Sequence, residues 1–275
     1  MKPEDYPAQD SFTEIGAKYH AKISDLADDV ATVEWQHGAD PYQSVALYPA
    51  LEPRGDLVAM IHGGGWTNGY KEWMAFCAPA LTARGITAAS LGYRLAPMHV
   101  WPSGFDDVAD GIAALWHRVA AFGADPGRIF VSGHSAGGHL AALLALRTDW
   151  QGPRGLPPNV IRGALPISGT YTFGADSGFK MRPRFLGGEA LANEGPASPM
   201  TWLRRDAPPF HVSWGGQDFP HLVAQAQRFA AALTDMGGQV ETLELPGADH
   251  LGASYASAEP DGLWAAAADD FIRRT

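Results

Sequence analysis

A second cysteine is missing from this sequence, and with it every intrachain disulfide. The single thiol, Cys77, lies in a helix-like stretch with no base nearby to ionise it, and reads as a small apolar core residue. One unpaired thiol is compatible with a reducing cytoplasm. Positive charge is scarce: 20 lysines and arginines face 30 acids, a net charge of −10. Such a surface repels phosphate backbones, so nucleic acid is not an expected partner. No apolar run is long enough to span a bilayer, and the opening MKPEDYPAQDSF lacks the apolar centre of a signal peptide. The expected location is therefore the cytoplasm, with no membrane contact. Internal repeats and low-complexity linkers are absent too. So are a Gly-Lys-Ser/Thr phosphate loop and a G-x-G-x-x-G turn opening a helix, which leaves nucleotide binding without support.

What is present is an ordinary globular composition, 46% apolar and 18% charged over 275 residues, enough for one large α/β domain or two small ones. Thr32–Trp35 and Ser44–Tyr48 are β-rich and flank a turn cluster at 37–41, which predicts an antiparallel pair. Continuous apolar runs of strand length follow at Leu57–Ile61, Ile86–Leu91, Ile129–Val131, Ile161–Ile167, Phe210–Gly215 and Val240–Leu245. Helical patterns fall between them, over Glu72–Arg84, Gly104–Phe122, the stretch after Ser135, Leu222–Met236 and Leu263–Arg273. Asp125-Pro126-Gly127 reads as the turn into the strand at Ile129–Val131. Strands alternating with helices of this length predict an α/β fold: a mostly parallel, eight-stranded sheet with helices on both faces. A single domain over 1–275 is expected. Residues 1–30 read as a peripheral segment, whose apolar positions between Phe12 and Leu26 suit a short amphipathic helix. The proline-rich stretch 149–209, around strand 161–167, reads as a partial lid insertion.

The chemistry centres on RIFVSGHSAGGHLAALLAL, Arg128 to Leu146. A buried strand breaks at Gly133 and restarts as an alanine-rich helix, with Gly133-His134-Ser135-Ala136-Gly137 between them. A G-x-S-x-G turn from strand to helix forces the serine into a strained backbone and pushes its hydroxyl out above a helix N-terminus. A serine hydroxyl is a weak nucleophile and needs a histidine base oriented by a carboxylate.

Four histidines follow Ser135. His139 sits on the same helix and turns back with difficulty. His211 lies inside a strand and His221 near a helix start. His250, in a loop just after the last strand, is the expected base. Asp218, reached from strand 210–215 through Gly216 and Gln217, is the expected carboxylate. Asp249 reads as a turn former, because sequence neighbours rarely face each other with the needed geometry. Donors for a tetrahedral oxyanion are expected from His62-Gly63-Gly64-Gly65-Trp66, which follows strand 57–61, together with the N–H of Ala136. His62 itself reads as a structural residue holding that loop.

HGGGW at 62–66, YRLAP at 93–97, GHSAGGH at 133–139, GQD at 216–218 and ADH at 248–250 together resemble the α/β-hydrolase fold. More narrowly they resemble the esterase branch that includes hormone-sensitive-lipase-like enzymes and kynurenine formamidases (arylformamidases). The resemblance covers about residues 37–275. It implies Ser135 as nucleophile, Asp218 and His250 as its partners, and Gly64, Gly65 and Ala136 as oxyanion donors, with no metal or organic cofactor. GHSAGGH and Asp218-Phe219-Pro220 lie closer to the formamidase side, so the expected reaction is hydrolysis of an aryl formamide such as an N-formylkynurenine. The alternative is a carboxylesterase acting on small acyl, acetyl or feruloyl esters. A catalytically silent ligand-binding relative is the remote third reading, and it would be expected to lose a triad member. The expected partner is thus a small-molecule ester or formamide, and a homodimer is left open. Trp66, Trp101, Trp150, Tyr171, Phe173 and Trp202 lie on segments that could wall the site or equally pack the interior.

Overall fold

The computed structural model describes residues 1–27, 30–178 and 182–275. Positions 28, 29 and 179–181, which fall within the expected peripheral and lid segments, lie outside the described residues. Eight strands form one sheet: β1 (Val33–Gln36), β2 (Ser44–Tyr48), β3 (Gly55–Ile61), β4 (Thr87–Leu91), β5 (Ala124–His134), β6 (Ile161–Ile167), β7 (Phe210–Gly215) and β8 (Val240–Leu245). Their order is β1-β2-β4-β3-β5-β6-β7-β8. β2 runs antiparallel to both β1 and β4, and every other neighbouring pair is parallel. The mostly parallel, eight-stranded sheet expected from the alternation of strands and helices is the one observed.

The helices are α1 (Glu14–Leu26), α2 (Ala78–Thr82), α3 (Ser103–Trp116), α4 (Ala136–Leu146), α5 (Arg182–Leu186), α6 (Ala190–Ala197), α7 (Pro220–Asp235), α8 (His250–Tyr255) and α9 (Leu263–Arg274). Strand side chains alternate between two cores, because successive residues of a strand point to opposite faces. Leu57, Ala59 and Ile61 of β3 join the core under α3, α4 and α7, while Val58 and Met60 join the one under α1, α2 and α9. Both sets are buried, which is why these strands read as continuous apolar runs rather than as alternation. α4 is buried along its whole length, as expected of a helix that is apolar all round. Among the described residues, no helix is long and apolar enough to cross a membrane.

Three local expectations change. The helix expected over Glu72–Arg84 is a 3-10 stretch, Lys71–Cys77, followed by the short α2. Pro79 has no N–H to donate back along an α ladder, so it fits only the first turn of α2. The helix expected to reach Phe122 ends at Trp116, and a separate 3-10 turn, Val119–Phe122, closes on Gly123 at φ 75°. The turn expected at 125–127 lies within β5 as an irregularity: pairing with β3 jumps from Gly55–Ala124 to Leu57–Ile129, while Gly127 N–H donates to Asp125 Oδ1 at 2.8 Å. Cys77 is buried as expected, and burial pushes its thiol pKa up to about 12.

Candidate active site

β5 ends at His134 and α4 begins at Ala136, which leaves Ser135 alone to make the turn, at φ 58° and ψ −117°. A non-glycine residue there costs on the order of 1–3 kcal/mol and persists only where its surroundings hold it. They do so tightly here. Ser135 N–H donates to Ile167 O at 2.9 Å, and the helix start presses on β3 so closely that a Cβ on Gly137 would sit 1.9 Å from Ile61 O. The second glycine of the pentapeptide thus admits a helix N-terminus against a strand end.

His250 and Asp218 come to Ser135 from the ends of β8 and β7. His250 Nε2 lies 3.1 Å from Ser135 Oγ, and His250 Nδ1 lies 2.8 Å from Asp218 Oδ1. The two loops are stitched together: Gly216 N–H donates to Leu245 O and Gln217 N–H to Ala248 O, each at 2.9 Å. Asp249 caps α8, its Oδ1 accepting from Gly252 N–H at 2.7 Å. His250 is therefore the first residue of a short helix rather than a free loop residue. Burial alone would raise the Asp218 carboxyl, but the hydrogen bonds it accepts from His250 and the Phe219 N–H, with the imidazole's charge, bring its pKa below the ordinary carboxylate value.

The loop after β3 carries three consecutive residues at positive φ: Gly64 at 104°, Gly65 at 62° and Trp66 at 62°. Gly64 O accepts from Thr67 N–H at 3.2 Å and Asn68 N–H at 3.0 Å, a turn so tight that a Cβ on Gly64 would lie 2.1 Å from Asn68 O. Among the described residues, the N–H groups of Gly64, Gly65 and Ala136 have no protein acceptor. The YRLAP segment buttresses this loop. Tyr93 stacks on His62 at 4.2 Å between ring centroids, and its hydroxyl donates to His62 O at 3.1 Å. Ala96 N–H donates to Trp66 O at 2.9 Å. Arg94 forks onto buried Asp107 through Nε and Nη2, each at 2.8 Å. His62 is buried, with Nδ1 2.8 Å from Gly63 O, and burial lowers its pKa to about 4, as suits a structural imidazole.

The remaining histidines stay away from the serine's proton. His139 and His211 are buried, and His221 is the second residue of α7. Of the six aromatics named as wall or interior, Trp101, Trp150, Tyr171 and Phe173 are core residues, and Trp66 joins them. Trp202 is packed against that core, its indole N–H donating to Pro196 O at 2.9 Å. None of the six is among the residues lining the cavity at Ser135.

That cavity, about 250 Å³, is lined by Ser135, His134 and His250, by Gly63–Gly65, and by Phe12, Thr13, Ile15, Gly16 and Tyr19. The segment that read as peripheral therefore contributes the wall that the sequence did not disclose. Gln9 ties it to the glycine loop, donating to Gly69 O and accepting from Gly69 N–H, both at 2.9 Å. Tyr19 OH bonds Ser254 Oγ on α8 at 2.9 Å. The amphipathic spacing of Phe12–Leu26 signalled that this helix lies on something, but nothing in it named the glycine loop. Phe219, whose ring is 5.1 Å from that of His250, was also missed as a neighbour of the base. Among the described residues, the side chains lining the cavity carry no carboxylate, ammonium or guanidinium.

Comparison with known proteins agrees with this fold. A family model described as alpha/beta hydrolase fold matches residues 58–253. Esterase LipQ of Mycobacterium tuberculosis is 31% identical over 82% of this chain and 57% of its own length. Esterase LipC of the same organism is 32% identical over 78% of this chain and 58% of its own length. The chain thus spans little more than half of these curated relatives. A truncated carbohydrate esterase from gut microbiota superposes with a TM-score of 0.76 at 17% identity, covering 90% of this chain and 97% of that one, a likeness of fold alone.

Proposed function

The chain belongs to the alpha/beta hydrolase fold family, and from that premise we propose that it is a serine carboxylic ester hydrolase acting on small, uncharged esters. The observation that carries the reading is the line from Asp218 Oδ1 through both ring nitrogens of His250 to Ser135 Oγ, with steps of 2.8 and 3.1 Å. His250 Nε2 accepts the serine proton as Oγ attacks the ester carbonyl. Asp218 holds Nδ1–H and stabilises the imidazolium that forms. The N–H groups of Gly64, Gly65 and Ala136 receive the charge that builds on the carbonyl oxygen. The intermediate collapses as His250 returns the proton to the departing alkoxide, leaving an acyl-serine. Water then repeats the sequence and releases the acid.

The substrate class follows from the cavity. Its volume of about 250 Å³ falls below the roughly 300–1,000 Å³ of pockets that hold drug-sized ligands. An ionised substrate would lose hydration there without finding an opposite charge. The relatives are named as esterases, which supports esters over the aryl formamides that the sequence motifs alone favoured. Steady-state kcat/KM on p-nitrophenyl acetate, butyrate and octanoate, with N-formylkynurenine as the formamide arm, tests this. The reading expects the short esters to lead; a formamide preferred by an order of magnitude would reverse the choice.

A further inference from the structure

The second histidine of GHSAGGH has no part in the proton transfer above, yet it is among the most constrained side chains in the molecule. His139 is fully buried on α4, one turn beyond Ser135. Both of its ring nitrogens are engaged. Nδ1 accepts from the indole N–H of Trp66 at 3.1 Å, and Nε2 lies 2.7 Å from Ala197 O, at the end of α6. A carbonyl can only accept, so the proton sits on Nε2 and Nδ1 keeps its lone pair for Trp66. Burial holds the ring neutral, with a pKa lowered to about 4, so this tautomer persists across the working pH range.

Trp66 is the residue next to Gly65 in the glycine loop, and it keeps a positive φ without being glycine. Its backbone is held by Ala96 N–H, its ring stacks on Phe185 at 4.4 Å and 16°, and its one polar side-chain atom is held by His139. A strained residue keeps its conformation only when several contacts agree on it. The His139 bond fixes the rotation of the indole within its plane, which stacking leaves free to slide.

We propose that His139 is a positioning residue for the oxyanion loop: through Trp66 it sets where the N–H groups of Gly64 and Gly65 point, and so couples the helix bearing the nucleophile to the loop that receives the oxyanion. The inference rests on the proposed esterase reading. It assigns the function to one ring nitrogen, Nδ1, while the Nε2 bond to Ala197 serves the fold.

Two substitutions separate the two bonds. Asparagine branches at the position of Nδ1, so H139N retains an acceptor for Trp66 and loses the reach to Ala197. Glutamine reaches the position of Nε2, so H139Q retains the donor to Ala197 and loses the acceptor. The expected result is that H139Q, H139L and W66F lose kcat on the order of 10- to 100-fold, the scale of an ångström-sized misplacement. H139N should stay within about threefold of wild type, and KM should move by less than about threefold throughout, because the oxyanion contacts act in the transition state. Thermal midpoints should fall for H139N as well as H139Q, which sets the activity pattern apart from general destabilisation. Should H139L not fold, the Asn and Gln variants and W66F decide the matter. Equal losses in H139N and H139Q, or wild-type kcat in H139Q and W66F, overturn the inference. Fluorophosphonate labelling of the wild-type enzyme is run alongside. Labelled protein whose kcat ignores all four substitutions overturns this inference alone, whereas unlabelled protein overturns it together with the esterase reading.

Discussion

His134 Nε2 lies 2.8 Å from the backbone carbonyl oxygen of His250, so the residue before the nucleophile grips the main chain of the base. Their rings are 4.5 Å apart, and the ring of Tyr19 from α1 stacks on that of His134 at 6.5 Å. The grip needs a proton on Nε2, because a carbonyl oxygen only accepts. Burial, with the nearby His250, lowers the His134 pKa to about 3. Replacing His134 by alanine removes this contact without touching Ser135 Oγ. We expect kcat to fall on the order of 10- to 100-fold as His250 loses its fixed distance, with fluorophosphonate labelling slowed in proportion.

Buried neutral histidines also set the acid limit of stability. His62 and His139, lowered to about 4, and His134, lowered to about 3, are neutral in the folded chain. In the unfolded chain each takes up a proton near the ordinary value of about 6.5. The unfolded state therefore binds more protons below that value. The stability these residues contribute is whole above about pH 6.5 and is lost as pH falls toward the folded values, by about 1.4 kcal/mol per pH unit for each histidine at the steepest. Urea midpoints measured between about pH 7 and pH 5 should fall; a midpoint that does not move across that range contradicts buried neutral imidazoles.

Ser135→Ala should lower kcat by about 10⁶-fold and Asp218→Asn by about 10⁴-fold, since the members of such a triad act as a unit. Turnover of the alanine variant within a few hundredfold of wild type contradicts the covalent route.

Gly64→Ala would place a Cβ 2.1 Å from Asn68 O, at φ 104°. The loop must open to accept it, moving the N–H groups proposed to face the oxyanion. A kcat loss on the order of 10²- to 10³-fold is expected, the cost of one oxyanion donor. Circular dichroism like that of the wild type would place the effect at the loop.

Phe12 lines the cavity, its ring 5.7 Å from that of Trp73. Phe12→Ala should let longer acyl chains enter. Each extra methylene accommodated is worth about 0.8 kcal/mol, or about fourfold in kcat/KM, so the ratio of hexanoate to acetate activity should rise severalfold. A ratio unchanged from wild type removes α1 and its approach from the substrate wall.

The candidate site was legible in the sequence where chemistry imposes local patterns. The Gly133–Gly137 turn, the glycine loop after β3, and His250 and Asp218 beyond β8 and β7 all lie at strand ends, where a short motif sets the backbone by itself. The strands were equally legible, because burial on both faces writes an unbroken apolar run. What stayed hidden depends on long-range packing. Phe12 to Tyr19 show only that a helix has an apolar side; which surface covers that side is decided by Gln9 on Gly69 and Tyr19 on Ser254, contacts between residues far apart in the chain. For the aromatics of 149–209 the sequence left wall and interior both open for the same reason: Tyr171 stacks on Phe229 and Trp150 bonds Leu144 O, interior contacts that leave no trace in spacing. His139 was set aside as a base in the sequence; its bond to Trp66, hidden there, links two motifs more than 70 positions apart.

The central claim is that Ser135 carries the acyl group between the two half-reactions. Enzyme quenched during turnover of p-nitrophenyl acetate, digested and weighed, tests it directly. The account predicts an acetyl adduct on the peptide bearing Ser135, absent in Ser135→Ala. An adduct on another peptide, or one undiminished in the alanine variant, contradicts it.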